Sequence, residues 1–270
     1  MTAKITYPGV YLEELPANVH PIEGVTTSQT AFVTSDLLKQ FARRQSIGSN
    51  EPGLTPLIAS VDEDEFASAA VRSDSAELND ILERAIKFAL PNIDGTPEVS
   101  FLSLSASLES ILTFHRRQDE YKILPAEDFT ELERDLKKWL KQHRVLADEP
   151  AKRALVYEKF RELNRFPMSH VFKMFCEHYS LDLTDLWPVI GKHAEWPLTE
   201  IRHRLVHGDP FHSRPAEAME CAEKHLRWVV ERMLLSVLGW PIARSSVSRE
   251  YLENAIVEHS GWRIERAKFA

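Results

Sequence analysis

From residue 98 onward, apolar residues recur along the chain at helical spacing. Phe101, Leu104, Leu108, Ile111 and Leu112 share one face, and Phe129, Leu132, Leu136 and Trp139 share another. Tyr157, Phe160 and Leu163 continue the pattern, followed by Val171, Phe172, Phe175 and Tyr179. The longest helix is expected from about Pro215 to Leu238, with Met219, Ala222, Leu226, Val229, Val230, Met233 and Val237 facing inward. Pro215 suits its first turn and Gly239 its end. Shorter helices are expected over 36–44, 77–90 and 249–258. Residues 1–34 read differently: Pro8, Pro16 and Pro21 break any long helix, and Val10–Leu12 and Thr26–Val33 favour extended chain. The expectation is a mainly α protein in four parts. These are an extended, strand-competent arm over 1–34, a linker with short helices over 35–97, a bundle of four or five main helices over 98–240, and a tail with one short helix over 241–270.

Composition narrows the classes. An apolar fraction of 43% is enough for a buried core. The net charge of −8 is concentrated in residues 51–100, where 11 acidic side chains face 3 basic ones, so the other 220 residues balance. That disfavours binding nucleic acid through a broad basic surface, while a local basic cleft stays open. Cys176 and Cys221 each fall in an apolar run and read as reduced core residues, without a disulfide framework or a four-ligand zinc site. No apolar run approaches the roughly 18 residues a membrane helix needs. No signal peptide is evident, so the cytoplasm is the expected compartment.

The candidate chemistry lies in "LTEIRHRLVHGDPFHSRP", residues 198–215. A helix is expected up to His207, ended by Gly208 and the Asp209–Pro210 turn. Arg202 and His207 are five positions apart, about 140° around a helix, so one chain need not aim them at one point. Two copies across a twofold axis bring two such pairs into one cleft. Arginine and histidine together suit RNA cleavage without a metal: the imidazole moves protons near neutral pH, and the guanidinium braces the phosphate as charge builds. His203 and His207, four apart with Asp209 and His212 nearby, also permit a metal site. Arg204 stands where a zinc-hydrolase helix would carry Glu, so no metal and no cofactor is expected. The same spacing occurs from Arg165 to His170, but Pro167 interrupts it and no glycine follows. Glu109, on the first bundle helix, reads as an exposed helical glutamate, with an approach to the cleft as the alternative. Lys137, Lys138, Lys141 and Arg144 read as a solvated basic face, and Trp139, Trp187, Trp196, Trp228 and Trp240 as core or interface residues.

The segments "SLSASLESIL", "LDLTDLW", "LTEIRHRLVHG" and "HLRWVVERMLLSVLGW" together resemble the HEPN superfamily (higher eukaryotes and prokaryotes nucleotide-binding) over about 98–240, most of all the C-terminal HEPN domain of ApeA-like defence proteins. In "RHRLVH", Arg202, His203 and His207 match the family's arginine, polar residue and histidine. The resemblance implies an all-helical fold, a homodimer with a composite site at its interface, and metal-independent endoribonuclease activity. Arg202 and His207 would be catalytic and His203 assisting, with RNA as substrate and a role in phage defence or as a toxin.

A second resemblance covers the arm alone. "PGVYLEE", "PIEGVTTS" and "TAFV", within residues 7–33, occur in the order seen in contractile phage tail sheath proteins, whose arm pairs as a strand with neighbouring subunits. It implies a sheath or contractile-particle component as a partner through residues 7–33. Past Val33 the chain departs from that family. Three readings therefore remain open: a nuclease with a docking arm, a non-catalytic adaptor on a contractile tail, and a sheath subunit. A fusion remnant accounts for the arm without any docking.

Overall fold

The computed structural model describes residues 38–42, 76–90, 95–118, 122–208, 211 and 216–269. The expected arm over 1–34 lies outside them. Among the described residues the chain is mainly helical and forms no β-strand; Lys122 and Arg165 make one isolated antiparallel bridge. The helices are α1 (Ala76–Ala89), α2 (Pro97–Gln118), α3 (Ala126–Gln142), α4 (Pro150–Leu163) and α5 (Met168–His178), then α6 (Leu198–His207), α7 (Ala216–Val237), α8 (Arg249–Ala255) and α9 (Val257–Ala267). Six of them fall between Pro97 and Trp240, against four or five expected.

α2 and α7 pack against each other at the centre. On α2 the expected face is buried throughout, from Phe101 to Leu112. On α7 burial wraps the whole circumference over 229–235, as a central helix requires. α7 ends as its sequence predicts. Gly239 takes φ 69°, the Gly239 N–H donates to the Ser236 carbonyl (3.1 Å), and the Trp240 N–H donates to the Leu235 carbonyl (2.9 Å).

α1 lies along α2, burying Leu82, Ala85, Ile86 and Ala89, and Leu38, Phe41 and Ala42 of the segment 38–42 join the same core. The helix expected over 77–90 is thus a full amphipathic member of this core. Polar clips fix it: the Ser107 hydroxyl donates to the Ala85 carbonyl (2.7 Å), and Arg227 donates to the Ala89 carbonyl (3.0 Å) and to Ser100 (2.9 Å). At the other end, where one short helix was expected, there are two. α9 packs on α7, its Trp262 stacks on Trp187 with ring centroids 6.1 Å apart, and Phe269 is buried beyond it.

α3 and α4 form a hairpin that packs chiefly on itself, through Leu140 and Phe160. Its base is clamped by Asn164, which accepts from the Leu124 N–H (2.7 Å) and donates to the Leu124 carbonyl (3.1 Å). The apolar face read on α3 is therefore not a core face. Phe129 and Leu136 are half-buried, while Leu132 and Trp139 are 43% and 57% exposed. No helix among the described residues is long and apolar enough to cross a membrane.

Candidate active site on helix α6

α6 is placed by its first turn. The Leu198 N–H donates to the Pro188 carbonyl (2.9 Å), and Thr199 donates to the Val189 carbonyl through its N–H (3.1 Å) and its hydroxyl (2.9 Å). Just before it, Trp196 adopts the left-handed conformation (φ 48°), unusual for a bulky residue. The surroundings hold it there: its carbonyl accepts from the Trp187 indole N–H (2.9 Å), and the Arg204 guanidinium lies 4.5 Å above its ring. Leu198 and Ile201 then point into the core. That orientation fixes where every other side chain of α6 goes.

Arg202, at the edge of the buried face, turns toward α2 and pairs with Glu109, Nη2 to Oε1 at 2.6 Å; the two side chains are 36% and 42% exposed. Glu109 is thus more than an exposed helical glutamate. The signal was present in the sequence, since both residues directly follow a buried one, Leu108 and Ile201, and carry opposite charge. Arg204 pairs with Glu200 (3.1 Å), whose other oxygen lies 2.5 Å from His193 Nδ1. His203 and His207 occupy the exposed face side by side, ring centroids 4.4 Å apart, next to exposed Val206. Gly208 ends the helix at φ 71°, its N–H donating to the Arg204 carbonyl.

Within one chain, then, the structure brings His203 to His207 and Arg202 to Glu109. The five-residue step to His207 directs the imidazole away from the guanidinium. An open groove of about 230 Å³ starts at Glu109 and runs between α2 and α5, with Thr113 and Arg116 on its polar side and Phe166 and Met168 on its apolar side. The second arginine–histidine spacing is split between elements: Arg165 sits in the isolated bridge, and His170 stacks on Phe166 (4.5 Å, 17°) in α5. No group of three or more His, Cys, Asp or Glu residues that could hold a metal ion occurs among the described residues. Asp209 and His212, considered as added ligands, lie outside them.

A second acid, arginine and histidine cluster lies in the core, unremarked in the sequence. Arg232 of α7 donates to both oxygens of Asp185 (2.7 Å each) and to the Val247 carbonyl (2.7 Å), and His259 Nε2 of α9 lies 3.0 Å from Asp185 Oδ2. Both members of the ion pair are 2% exposed. Burial alone would raise the Asp185 carboxyl; Arg232 and His259 outweigh it and hold the pKa below the ordinary value. With no access to solvent, this cluster ties α7, α9 and the loop before α6 together. Of the two cysteines, Cys221 is buried and Cys176 half-buried, and burial beside Glu177 pushes Cys176 up to about 11.

No protein-family model, curated protein or solved structure matches this chain, so the geometry around α6 carries the functional reading.

Proposed function

We propose that the protein is a HEPN-type, metal-independent endoribonuclease acting as a homodimer in phage defence or as a toxin. Arg202 and His207 are its catalytic residues and His203 assists. The observation that carries this reading is the division of labour on α6: two adjacent imidazoles on an exposed turn, and one arginine seated beside an open groove. In this chemistry the RNA 2′-oxygen attacks the neighbouring phosphorus and the 5′-oxygen leaves. His207 takes the hydroxyl proton or supplies one to the leaving oxygen, and Arg202 neutralises the charge gathering on the phosphate.

RNA cleavage with a metal chelator present tests it. Wild type is expected to cleave, with His207→Ala inactive; intact RNA across a broad pH range sinks the proposal, and cleavage abolished by chelation points to a metal instead.

A second reading has its own support. Arg202 is already engaged by Glu109, as in a site with no phosphate to bind. On this reading the bundle is a non-catalytic adaptor, and residues 7–33 attach it to a sheath component. Co-purification with sheath that is lost on deleting residues 1–34, without nuclease activity, is its expected signature.

A further inference from the structure

Six of the ten large apolar side chains that stand exposed among the described residues belong to the α3–α4 hairpin: Ile123, Leu132, Trp139, Val145, Leu155 and Leu163. Such concentration on one projecting element marks an interaction surface, because exposed apolar residues are otherwise scattered singly. On α3 the stripe is ordered. Phe129, Leu132, Leu136 and Trp139 alternate steps of three and four, the seam of a paired helix. α4 covers one side of that seam, leaving the Leu132 and Trp139 side open.

The charges along α3 indicate what covers it. Its first half carries Glu127, Asp128, Glu131, Glu133 and Asp135 against Arg134 alone; its second half carries Lys137, Lys138 and Lys141 and no acid. Two such helices laid parallel set like charge on like. Laid antiparallel, each acidic half meets a basic half. We propose that α3 docks on α3 of a second copy of this chain, antiparallel about a twofold axis near Arg134. In that register Phe129 layers on the partner's Trp139 and Leu132 on the partner's Leu136. Asp128 comes near the partner's Lys141, and Glu131 near the partner's Lys138. The contact is isologous, so it closes as a dimer. It explains the basic stretch and the exposed tryptophan together. It goes beyond the nuclease reading by assigning that reading's homodimer to a contact through α3, and it stands even if the protein does not cleave RNA.

Sedimentation of the full chain through the micromolar range tests it. Wild type dimerises, and Leu132→Glu/Trp139→Glu weakens self-association by at least about 30-fold with helical content unchanged, since both side chains are already exposed. Lys138→Glu/Lys141→Glu makes the four facing positions 128, 131, 138 and 141 all acidic, and Asp128→Lys/Glu131→Lys makes them all basic. Each associates poorly with itself, and the two restore a dimer when mixed. A wild type that stays monomeric, or a Leu132→Glu/Trp139→Glu variant that dimerises like wild type, overturns the proposal. Failure of the two charge variants to pair overturns the antiparallel arrangement.

Discussion

Two clusters in this molecule are built from the same three kinds of side chain. Asp185, Arg232 and His259 meet in the core; on α6, Arg202 pairs with Glu109 at one edge while His203 and His207 adjoin on the exposed face. In the first, bidentate geometry and backbone carbonyls satisfy the guanidinium from several directions, and water is excluded. In the second, the arginine has a carboxylate at one tip and the imidazoles face solvent. Chemistry needs groups that a substrate reaches and that change proton occupancy in place. A core needs groups that do neither. The residue types do not separate the two roles; burial does.

Histidine replacement is the sharpest way to break that comparison. His207→Ala is expected to lower RNA cleavage by roughly 10²- to 10⁴-fold while leaving stability within about 0.5 kcal/mol. His259→Ala is expected to do the reverse: stability falls, and the folded fraction retains its activity. Cleavage assays paired with urea unfolding of both variants read this directly. If His259→Ala removes activity from fully folded protein, the division by burial fails.

Arg232 comes next in size. Arg232→Ala leaves the Asp185 carboxylate in the core with only His259 beside it, a loss of about 3–5 kcal/mol, whereas removing both charges together as Asp185→Leu/Arg232→Met recovers much of it. The Asp185 pKa is depressed in the fold, so its contribution is present above the ordinary carboxylate value of about 3.9 and is lost as pH falls below it. Urea midpoints of wild type should therefore drop on acidification below about pH 4. In Asp185→Asn that limb should be shallower from a lower starting point.

Backbone geometry contributes less. Gly208 takes φ 71°, and a β-carbon there would meet nothing within 4 Å, so Gly208→Ala tests the left-handed conformation alone. About 1 kcal/mol of stability is expected to go, with α6 fraying at His207. A thermal melt measures the first, and amide exchange over 205–208 the second.

The sequence was readable where one helix face decides the outcome. α1, α2 and α7 show their buried stripes plainly, and Gly239 and Gly208 end helices where their positions predict. It was unreadable wherever the partner is distant. The stripe on α3 has the right period for a core face, yet period does not say whether anything packs against it. α9 was missed because Gly261 and the charged run around Trp262 dilute its pattern, although Trp262 and Phe269 reach the core. Motif spacing singled out Arg202, His203 and His207 as candidates, whereas the Glu109 contact joins two helices far apart in the chain and shows locally only as opposite charges that each follow a buried residue.

That contact carries the smallest expected effect and the finest distinction. Glu109 and Arg202 are both substantially exposed, so Glu109→Gln should change stability by less than about 1 kcal/mol. On the proposed nuclease function, its influence on RNA is of another kind. A phosphate seeking Arg202 must displace the Glu109 carboxylate, so neutralising that carboxylate should tighten binding, by roughly 2- to 10-fold for an electrostatic term of this size. Measuring affinity in a His207→Ala background keeps the RNA intact during titration. The gain should shrink as salt is raised, because exposed charges are screened. Weaker binding instead would mean that Glu109 aims the guanidinium at the phosphate and does not compete with it. RNA that binds neither variant would return Arg202 to the role its buried counterpart plays, a cation held for the fold alone.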